Sequence, residues 1–600
     1  MALAKASRKS VAKKSSTLTK VAKAKKSHRA PGKKVLTDQE RAKRSQRNGV
    51  RSLFARFGFD RIKTDGVHFN FEGRTGEFDE AFVYENVLIM AEYTIGSDTS
   101  GHVSRKSILY NKVAANQPYW VEFASETYPD FARHVASKNY KNSDFRVFIC
   151  YFSIAGVSEE YEAGLTSVRF LDGAKLRYFQ SLSKAIHHSA RYELFSYLGL
   201  AGSDIAEGVL RSGSSLGKFE GHVLPESFSS FPEGFKVVSF YADPGTLLKM
   251  AYVLRRDSWR DPEGMYQRVL QKGRMSQMRR YLTTEERVFV NNIIVTLPSD
   301  TSLNNPSHPT KNLNASEITK VRNATIIVPD VPNSIGIVDG QHRVFCYHEG
   351  SDKFEAKIKS LRGRQNLLVT GLIYPEQYSE IEKRKFEAKL FLEINDKQKR
   401  TGSELKQSIE IILNPYSTTS IAKAVIYRLN SSGPLKGFLQ TNYFDPPSLI
   451  RTTSIVSYGL KPLLKLDGPD SLYTSWTNKD KAKLKELQRQ RSSEAEEDVL
   501  LSKYIEYSAG EVNKLLIGLK RADDQTRWKL QDSPKDRTLT PTFINGIIVC
   551  LRLMLTDGKL GSAESYEKSF KGVSAFTFYR YKSSAWRKLG EKLYQAHFQK

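Results

Sequence analysis

The pattern of apolar and polar positions divides the first third of the chain into helices and strands. Three apolar runs have the length and composition typical of strands: Phe78–Tyr84, Val87–Thr94 and Phe145–Phe152. A helical pattern begins at Asp38 and continues near Val50–Phe57, and apolar spacing over Lys175–Leu198 predicts a long helix. We therefore predict one α/β domain over residues 48–202.

A second set of apolar runs alternates with polar and helical segments. Five runs have strand character: Lys236–Tyr241, Phe289–Val295, Thr325–Val328, Ile335–Val338 and Phe391–Lys399, the last of which ends in a polar loop. Leu247–Leu282 has a helical, Arg-rich pattern, whereas Ser299–Ser316 is typical of a polar loop. Thr401 begins a capping-box pattern, which predicts a helix to about Leu413. The predicted second domain covers residues 203–477.

The last part of the chain has the pattern of packed helices. Asn478–Asp498 is almost wholly polar and predicts a surface helix or a linker, whereas Val499–Leu519 and Phe543–Leu555 have helical apolar spacing. A chain of 600 residues exceeds what one hydrophobic core usually serves. The predicted fold class is therefore α/β (α+β) and multidomain, with a helical C-terminal region over residues 478–600.

Positive charge is concentrated at the N-terminus. The formal net charge is +28, and residues 1–47 contribute sixteen Lys or Arg against two acidic residues, or +14. This segment has too few large apolar residues to form a core, so we predict a disordered basic arm that binds DNA phosphates. A solubilising tail, an arm for another anionic surface and an organelle transit peptide are alternatives. The candidate DNA-binding residues are Lys13, Lys14, Lys25, Lys26, Lys33 and Lys34.

Composition and run length also indicate where the chain resides. No apolar run approaches the roughly 18–20 residues that cross a bilayer, and no secretory signal is recognised, so no membrane association is expected. The three cysteines lie far apart and lack metal-site spacing, which indicates reduced, buried thiols. We expect a cytoplasmic, nucleoid-associated protein.

Two acidic residues are predicted to face each other across a hairpin. The dipeptide Glu85-Asn86 fits a two-residue turn, because Asn tolerates a positive φ. This turn pairs Tyr84 with Val87, and counting back sets Asp79 opposite Glu92. Neighbouring carboxylates repel unless a cation lies between them, and Mg²⁺ or Mn²⁺ prefers such oxygen ligands. Asp79 and Glu92 are therefore candidate metal ligands, the alternative being a solvated hairpin with alternating acids.

The hairpin resembles the core of PD-(D/E)xK nucleases, in which an Asp on one strand is followed by Glu-x-Lys on the next. Asp79 matches the first acid and Glu92 the second, whereas Thr94 stands where the family has lysine. The resemblance implies metal-dependent DNA cleavage with Asp79 and Glu92 as catalytic residues. Threonine cannot supply the cation that orients the attacking water, so Lys106, or else Lys112, would have to reach the site from the following segment.

A second candidate site, Asp339-Gly340-Gln341-His342-Arg343, directly follows a strand-like run. A helix that begins after a glycine offers free backbone N–H groups to phosphates, and the guanidinium of Arg343 suits phosphate oxygens. Asp-Gly is also a common turn dipeptide, so a plain turn is the alternative. In that alternative Asp339 and Arg343 only stabilise the turn, for example as an ion pair.

The pentapeptide resembles the signature of DGQHR-domain proteins, a family that includes DndB-type proteins and is similar to the ParB-like superfamily. Three further segments resemble the flanking blocks of that family: Tyr266–Arg268, Phe289–Val295 and Phe391–Lys399. The resemblance implies a nucleoside triphosphate, ATP or CTP, at the glycine turn, with a water positioned by Gln341 or His342. The implied phosphate- and nucleotide-binding residues are Asp339, Gly340, Arg343, Arg268, Asn292, Asn395 and Gln398, the last two at the end of the next strand.

These features together predict a prokaryotic-type, DNA-associated protein that couples a nucleotide-binding DGQHR domain, with or without NTP hydrolysis, to a nuclease domain. The resemblance implies a setting in DNA modification or phage defence, with proteins of those systems as partners and a homo-oligomeric state. Two alternatives stay open: a non-catalytic, DNA-binding transcriptional regulator of the DndB type, and a scaffold in which both sites are degenerate. The missing lysine and the lack of a recognised hydrolytic acid near Gly340 are the basis of the regulator hypothesis.

Overall fold

The computed structural model describes most of the chain beyond the predicted basic arm. The described residues are 37–96, 99–154, 156–157, 159–205, 217–252, 270–329, 331–395, 403–442, 445–490, 498–530 and 538–599. The candidate DNA-binding lysines, from Lys13 to Lys34, lie outside these ranges, and so do Arg268 and Gln398. Of Asn395 only the backbone is described.

Helix α1 opens the described chain and crosses the boundary predicted at residue 47. It spans Asp38–Phe57, so residues 38–47 are helical rather than part of a disordered arm. The helix begins where a capping box places it, because the hydroxyl of Thr37 accepts from the N–H of Glu40 and the Glu40 carboxylate accepts from the N–H of Thr37. Its apolar side, which includes the fully buried Phe54, packs into the core.

The N-terminal unit is built around a five-stranded sheet. Its helices after α1 are α2 (Thr99–Ala115), α3 (Gln117–Thr127), α4 (Pro129–Ala136), α5 (Glu159–Gly164), α6 (Gly173–Ile186) and α7 (Arg191–Leu198). Its strands are β1 (Asp60–Ile62), β2 (Phe69–Phe71), β3 (Arg74–Gly76), β4 (Glu80–Tyr84), β5 (Val87–Thr94), β6 (Arg146–Ser153) and β7 (Val168–Leu171). The sheet order is β1-β4-β5-β6-β7, with β1, β4 and β5 antiparallel and with β6 and β7 parallel to β5.

Helices cover both faces of this sheet. Alternate residues of a strand point to opposite faces, and here both sets are apolar. Phe82 and Ile89 pack with α1, α6 and α7, whereas Val83 and Leu88 pack with α2, α3 and α4. The residues at the start of β4 and at the end of β5 are more polar, and the hairpin acids lie at this end of the two strands.

The second unit is a nine-stranded mixed sheet with helices. Its strands are β8 (Lys218–Leu224), β9 (Lys236–Ala242), β10 (Ala251–Tyr252), β11 (Ile293–Leu297), β12 (Ser302–Asn305), β13 (His308–Asn312), β14 (Arg322–Ile327), β15 (Ile335–Asp339) and β16 (Leu367–Ile373). Its helices are α8 (Glu226–Ser229), α9 (Pro244–Met250), α10 (Lys272–Glu285), α11 (Gln341–Phe345), α12 (Glu355–Arg364) and α13 (Glu380–Asn395). The sheet order is β10-β15-β11-β16-β9-β8-β14-β12-β13.

The C-terminal unit is helical and has its own core. Helix α14 (Ser403–Leu413) precedes it and packs through Ile409 against α13 and β15 of the second unit. The helices of the C-terminal unit are α15 (Thr418–Ser431), α16 (Lys461–Leu464), α17 (Leu472–Ser475), α18 (Lys481–Gln490), α19 (Val499–Ala522), α20 (Pro541–Thr556), α21 (Ala563–Ser569) and α22 (Trp586–His597). Two short strands, β17 (Leu439–Gln440) and β18 (Ile450–Arg451), pair in parallel, and a π-helix (Ile455–Leu460) leads into α16. This core extends from Tyr416 to Phe598, so the domain boundary predicted at residue 478 lies inside it.

The first two units share one continuous apolar core. Buried residues of α1, α6 and α7 belong to the same cluster as buried residues of the nine-stranded sheet, up to Ile373 of β16. Arg191 of α7 forms an ion pair with Glu349, which lies between α11 and α12. The two predicted α/β domains are therefore packed against each other through both apolar and charged contacts.

The segment predicted as a strand at Phe391–Lys399 is helical as far as Asn395, the last residue of α13. Periodicity alone does not distinguish a short buried strand from a buried helical segment. Ala388 and Phe391 belong to one buried cluster with Val338 of β15. Their separation of three residues is the spacing of neighbours on one side of a helix. The prediction that Asn395 follows a strand is wrong. Asn395 instead ends a helix that runs along β15 towards the DGQHR turn.

The helix predicted over Lys175–Leu198 is interrupted at His187, whose φ is +44°. A 3-10 turn separates α6 from α7 at this point. Tertiary contacts favour the interruption, because the backbone N–H of His188 donates to the carbonyl of Glu349 at 3.1 Å. The ring of His187 also stacks on that of His348, with 5.7 Å between centroids.

Two other segments differ from their predictions. Ser299–Ser316 is not wholly a loop, because it contains β12 and the edge strand β13. Both strands are short and mostly polar, so they lack the apolar alternation that reveals a strand. In the turn between β4 and β5, Glu85 has the positive φ, +50°, rather than Asn86. The Asn86 side chain is buried and donates to the carbonyls of Asp144 and Asp204 at 2.7 Å each. The turn lies where it was predicted, but Asn86 serves to attach it to neighbouring loops.

Candidate active site

The β4–β5 hairpin brings two carboxyl groups together. The strands pair in the predicted register, with Tyr84 opposite Val87, and continuing that register sets Asp79 opposite Glu92. The two carboxyl groups lie close enough for Asp79 to raise the pKa of Glu92. Asp79 is partly exposed, whereas Glu92 is completely buried. A local turn signal thus joins two acids that are thirteen positions apart in the sequence.

Helix α1 and the backbone of β5 orient Asp79. Arg47 of α1 forms an ion pair with Oδ1 of Asp79, and the backbone N–H of Tyr93 donates to Oδ2 at 2.9 Å. Arg47 also lies 3.1 Å from a carboxylate oxygen of Asp65 and 5.6 Å from the ring centroid of Tyr93. Both oxygens of the Asp79 carboxylate therefore have a fixed direction before any ligand binds.

Lys106 of α2 brings to the site a positive charge that Thr94 cannot supply. Its Nζ lies 2.7 Å from Oε1 and 2.7 Å from Oε2 of Glu92. Lys112, six residues further along α2, instead donates to the carbonyl of Glu72 at 2.6 Å. The described site therefore contains two carboxyl groups and one lysine ammonium, with the lysine on a helix rather than on the strand.

Burial raises the pKa of Glu92 to about 8. The main cause is the loss of water around the carboxyl group; Lys106 lowers the pKa, but this does not outweigh burial, and nearby Asp79 raises it further. At neutral pH Glu92 therefore holds a proton when no cation is bound. A divalent cation between the two carboxyl groups would replace that proton.

Asp79 and Glu92 are the residues of this site that could hold a hard divalent cation. Mg²⁺ and Mn²⁺ prefer carboxylate oxygens, and the hairpin register sets Asp79 opposite Glu92. Among the described residues no group of three or more His, Cys, Asp or Glu side chains is arranged to hold a metal. A cation here would keep several waters or substrate oxygens as ligands, as Mg²⁺ commonly does.

Sequence reasoning missed the polar groups around these acids. Glu80 is completely buried and lies 2.5 Å from Arg51 and 2.5 Å from Arg61. Gln46 of α1 donates to two carbonyls near the ends of β5 and β6, at 3.1 and 3.0 Å. The spacing of Arg47 and Arg51, four residues apart on one side of α1, was the available signal. It becomes informative only when the strand that the helix faces is known.

The DGQHR turn has the predicted order of strand, glycine and helix. β15 ends at Asp339, Gly340 has a left-handed φ of 96°, and α11 follows. Nη2 of Arg343 lies 2.8 Å from Oδ2 of Asp339 and 3.0 Å from the carbonyl of Asn292. A Cβ at Gly340 would lie 2.7 Å from Ile293 and 3.0 Å from Arg343. The turn therefore requires glycine for its own packing, and the Asp339–Arg343 pair is the one expected of a plain turn.

Two buried polar atoms at this turn are nevertheless unpaired. Oε1 of Gln341 and Nε of Arg343 have no hydrogen-bond partner within the described ranges. Asn292 donates from its side-chain amide to the hydroxyl of Thr370 at 3.1 Å. His342 follows Gln341 on α11, and the five-residue length of α11 leaves little helix dipole to attract an anion.

No family model, no curated protein and no solved structure matches this chain. Within the described residues, no helix combines the length and the apolar character needed to span a membrane.

Proposed function

We propose that this chain is a DNA-associated protein whose N-terminal unit cleaves phosphodiester bonds with a divalent cation. The observation that carries the proposal is the grouping of Asp79, Glu92 and Lys106, in which the buried carboxyl group is contacted by the lysine through both oxygens. The arrangement of α1, the antiparallel β4–β5 hairpin, α2 and β6, which is parallel to β5, supports the resemblance to PD-(D/E)xK nucleases.

The side chains would divide the chemistry among them. Asp79 and Glu92 would hold the cation, which would supply Lewis-acid activation of the phosphate and of the attacking water. Glu92, whose pKa is about 8, would have to release its proton for its carboxylate to hold the cation. Lys106, next to Glu92, would stabilise the negative charge that develops on the phosphate in the transition state. Arg47 orients Asp79 and keeps its carboxylate directed towards the site.

A nicking assay on supercoiled plasmid, with Mg²⁺ or Mn²⁺, tests the proposal. We expect cation-dependent conversion to open-circular or linear DNA by the full chain, and loss of this activity in Asp79→Asn and Glu92→Gln. Lys106→Met should reduce the rate on the order of 100- to 1,000-fold, the usual effect of removing one transition-state contact. Lys112→Met is the matched control, because it removes a lysine of the same helix that does not contact Glu92.

The outcomes separate catalysis from binding. If the wild type cleaves neither plain nor modified DNA with either cation, the unit is a binding module. Equal loss of activity in Lys106→Met and Lys112→Met would contradict the assigned role of Lys106. Circular dichroism of each variant shows whether the fold is retained.

For the DGQHR turn, the Asp339–Arg343 ion pair favours a second candidate function, that of a non-catalytic DNA-binding regulator. In this candidate the pair and Gly340 maintain the turn, and the strongly positive chain binds DNA without turnover. Nucleotide binding at the turn stays a proposal that requires Arg343 to leave Asp339. The unpaired Oε1 of Gln341 and Nε of Arg343 support it. Promoter-specific binding with no nicking would favour the regulator.

A further inference from the structure

The helical C-terminal unit contains a polar cavity of about 550 Å³. This volume lies within the range of small-molecule binding sites. Its lining comes from α15, from the β17–β18 pair with the residues that follow each strand, and from the first residue of α20. None of these elements contributes to the Asp79–Glu92 site or to the DGQHR turn, so the cavity is separate from both candidate sites.

Two cationic side chains line the cavity, and its described lining residues include no acid. Lys423 is only 8% exposed, whereas Arg451 is exposed. The neighbouring acid, Asp445, is turned to the backbone, because its Oδ2 accepts from the N–H groups of Thr441 and Asn442 at 2.9 and 2.8 Å. Lys423 also has an interaction within the protein, but its ammonium group carries three N–H donors, so a phosphate oxygen would be a further partner. Because Lys423 is largely buried, little water would lie between its charge and a bound anion, which strengthens the attraction.

Hydrogen-bond donors surround the same space. Thr453 and Ser454 begin a helical segment that continues through the π-helix and α16 to Leu464. Among the described residues, the side chains of Gln440, Arg451, Thr453 and Ser454 form no hydrogen bond or ion pair, so they are available to a ligand. The backbone N–H groups in the first turn of a helix, together with its dipole, also attract anions.

A second helix starts at the cavity. Pro541, a lining residue, is the first residue of α20, and the hydroxyl of Thr540 accepts from the N–H of Phe543 at 3.1 Å. This end of α20 is therefore capped by its own chain, but its dipole adds to the positive potential. The N-termini of two helices and the side chains of Lys423 and Arg451 therefore all favour a negatively charged ligand in this cavity.

We propose that this cavity binds a phosphate-bearing small molecule, of a size up to that of a mononucleotide. Lys423 and Arg451 contact the phosphate oxygens, and the hydroxyls of Thr453 and Ser454 donate to them. The amide of Gln440 and the ring of Pro541 are available to the remainder of the ligand. A single phosphate group fills only part of the cavity, which favours a phosphate ester over the free ion.

Calorimetric titration of the full chain tests this proposal with three probes: inorganic phosphate, a ribonucleoside 5′-monophosphate of each base, and the corresponding nucleosides. We expect binding of at least one phosphate-bearing probe and none of the nucleosides. Arg451→Ala and Lys423→Met should each weaken that binding on the order of 10- to 100-fold, as expected for loss of a charge-assisted contact. Arg428→Ala, an exposed position on the helix that carries Lys423, is the matched control.

The binding results distinguish a free-phosphate site, a phosphate-ester site and the absence of a phosphate site. Inorganic phosphate binding as tightly as every monophosphate would identify a free-phosphate site, and tighter binding of a monophosphate would identify an ester site. Either supports the proposal if Arg451→Ala weakens it. The proposal is overturned if no probe binds at millimolar concentration, or if Arg451→Ala and Lys423→Met bind as the wild type does. Arg343→Ala should keep this binding, which distinguishes the cavity from the DGQHR turn.

Discussion

At the scale of single residues, the state of Glu92 is determined by its surroundings. A glutamate in water is ionised at neutral pH, but this carboxyl group is completely buried and its pKa is about 8. Lys106 compensates part of the cost of burial through two 2.7 Å contacts. The residue is thus poised between protonation and cation binding near neutral pH, as a carboxyl group with a proposed metal role should be.

The first prediction concerns the pH dependence of cation binding. Protons and Mn²⁺ compete for the Glu92 carboxylate, and its raised pKa means that the proton is held up to about pH 8. We expect the affinity for Mn²⁺ to rise by up to about tenfold per pH unit between pH 6 and 8, and to level off above. Calorimetry across this pH range measures it. Glu92→Gln should bind weakly at every pH, and an unchanged slope in that variant would contradict the assignment.

The second prediction concerns Arg343. Because its guanidinium pairs with Asp339 and with a backbone carbonyl, we expect Arg343→Ala to lower the free energy of unfolding by about 1–2 kcal/mol. Thermal unfolding without ligand measures the loss, and Arg364→Ala, an exposed position on α12, is the control. An unchanged melting temperature combined with lost binding of ATP or CTP would instead favour the phosphate-binding role.

At the scale of elements, helix α13 is attached to the nine-stranded sheet by a buried carboxyl group. Oε1 of Glu387 accepts from the hydroxyls of Thr296, Tyr374 and Tyr252, at 2.5, 2.7 and 3.1 Å. The helix can approach this closely because Gly336 has no side chain; a Cβ there would lie only 2.9 Å from this oxygen. Complete burial raises the pKa of Glu387, so the folded protein holds its proton more tightly than the unfolded chain does.

The third prediction follows from that difference. As the pH rises above about 4.5, the unfolded chain releases the proton of Glu387 while the folded protein retains it, so stability falls with increasing pH. Glu387→Gln keeps the accepting oxygen and has no such proton. We expect this variant to gain stability relative to wild type between pH 5 and 8, by at most about 1.4 kcal/mol per pH unit. Thermal unfolding at both pH values measures the gain, and a constant difference would contradict the prediction.

At the scale of the whole molecule, the two α/β units meet at a buried arginine. The side chain of Arg191 is 8% exposed, pairs with Glu349 and lies 4.6 Å from the ring centroid of Tyr84 in the N-terminal sheet. The hydroxyl of Ser189 accepts from the backbone N–H of Glu349 at 2.9 Å. The contacts around α7 therefore connect the N-terminal unit, which contains the candidate nuclease site, to the segment that follows α11.

The fourth prediction tests this connection. Glu349→Gln leaves Arg191 buried without its counterion, which we expect to cost about 2–3 kcal/mol of stability. Thermal unfolding should show a lower midpoint for the two α/β units, whereas the helical C-terminal unit, with its separate core, should be unaffected. Glu376→Gln, at an exposed position, is the control. Equal melting of both variants would show that the ion pair contributes nothing to the contact between the units.

The sequence alone determined the features that depend on neighbouring residues. The capping box at Thr37 set the start of α1, and the turn at Glu85–Asn86 set the register that brings Asp79 to Glu92. The apolar spacing of α19 and α20 also sufficed to predict them. Such features are local, because a cap, a two-residue turn or a helical face involves only a few adjacent positions.

Tertiary structure decided the features that depend on distant residues. It placed Lys106 of α2 on Glu92, made Phe391 part of a helix, and interrupted a predicted helix at His187. It also assembled a cavity from Lys423, Arg451 and residues of α20 that are far apart in the sequence. These features share one physical reason. Burial and ion pairing depend on which surfaces meet in space, and local periodicity carries no information about those contacts.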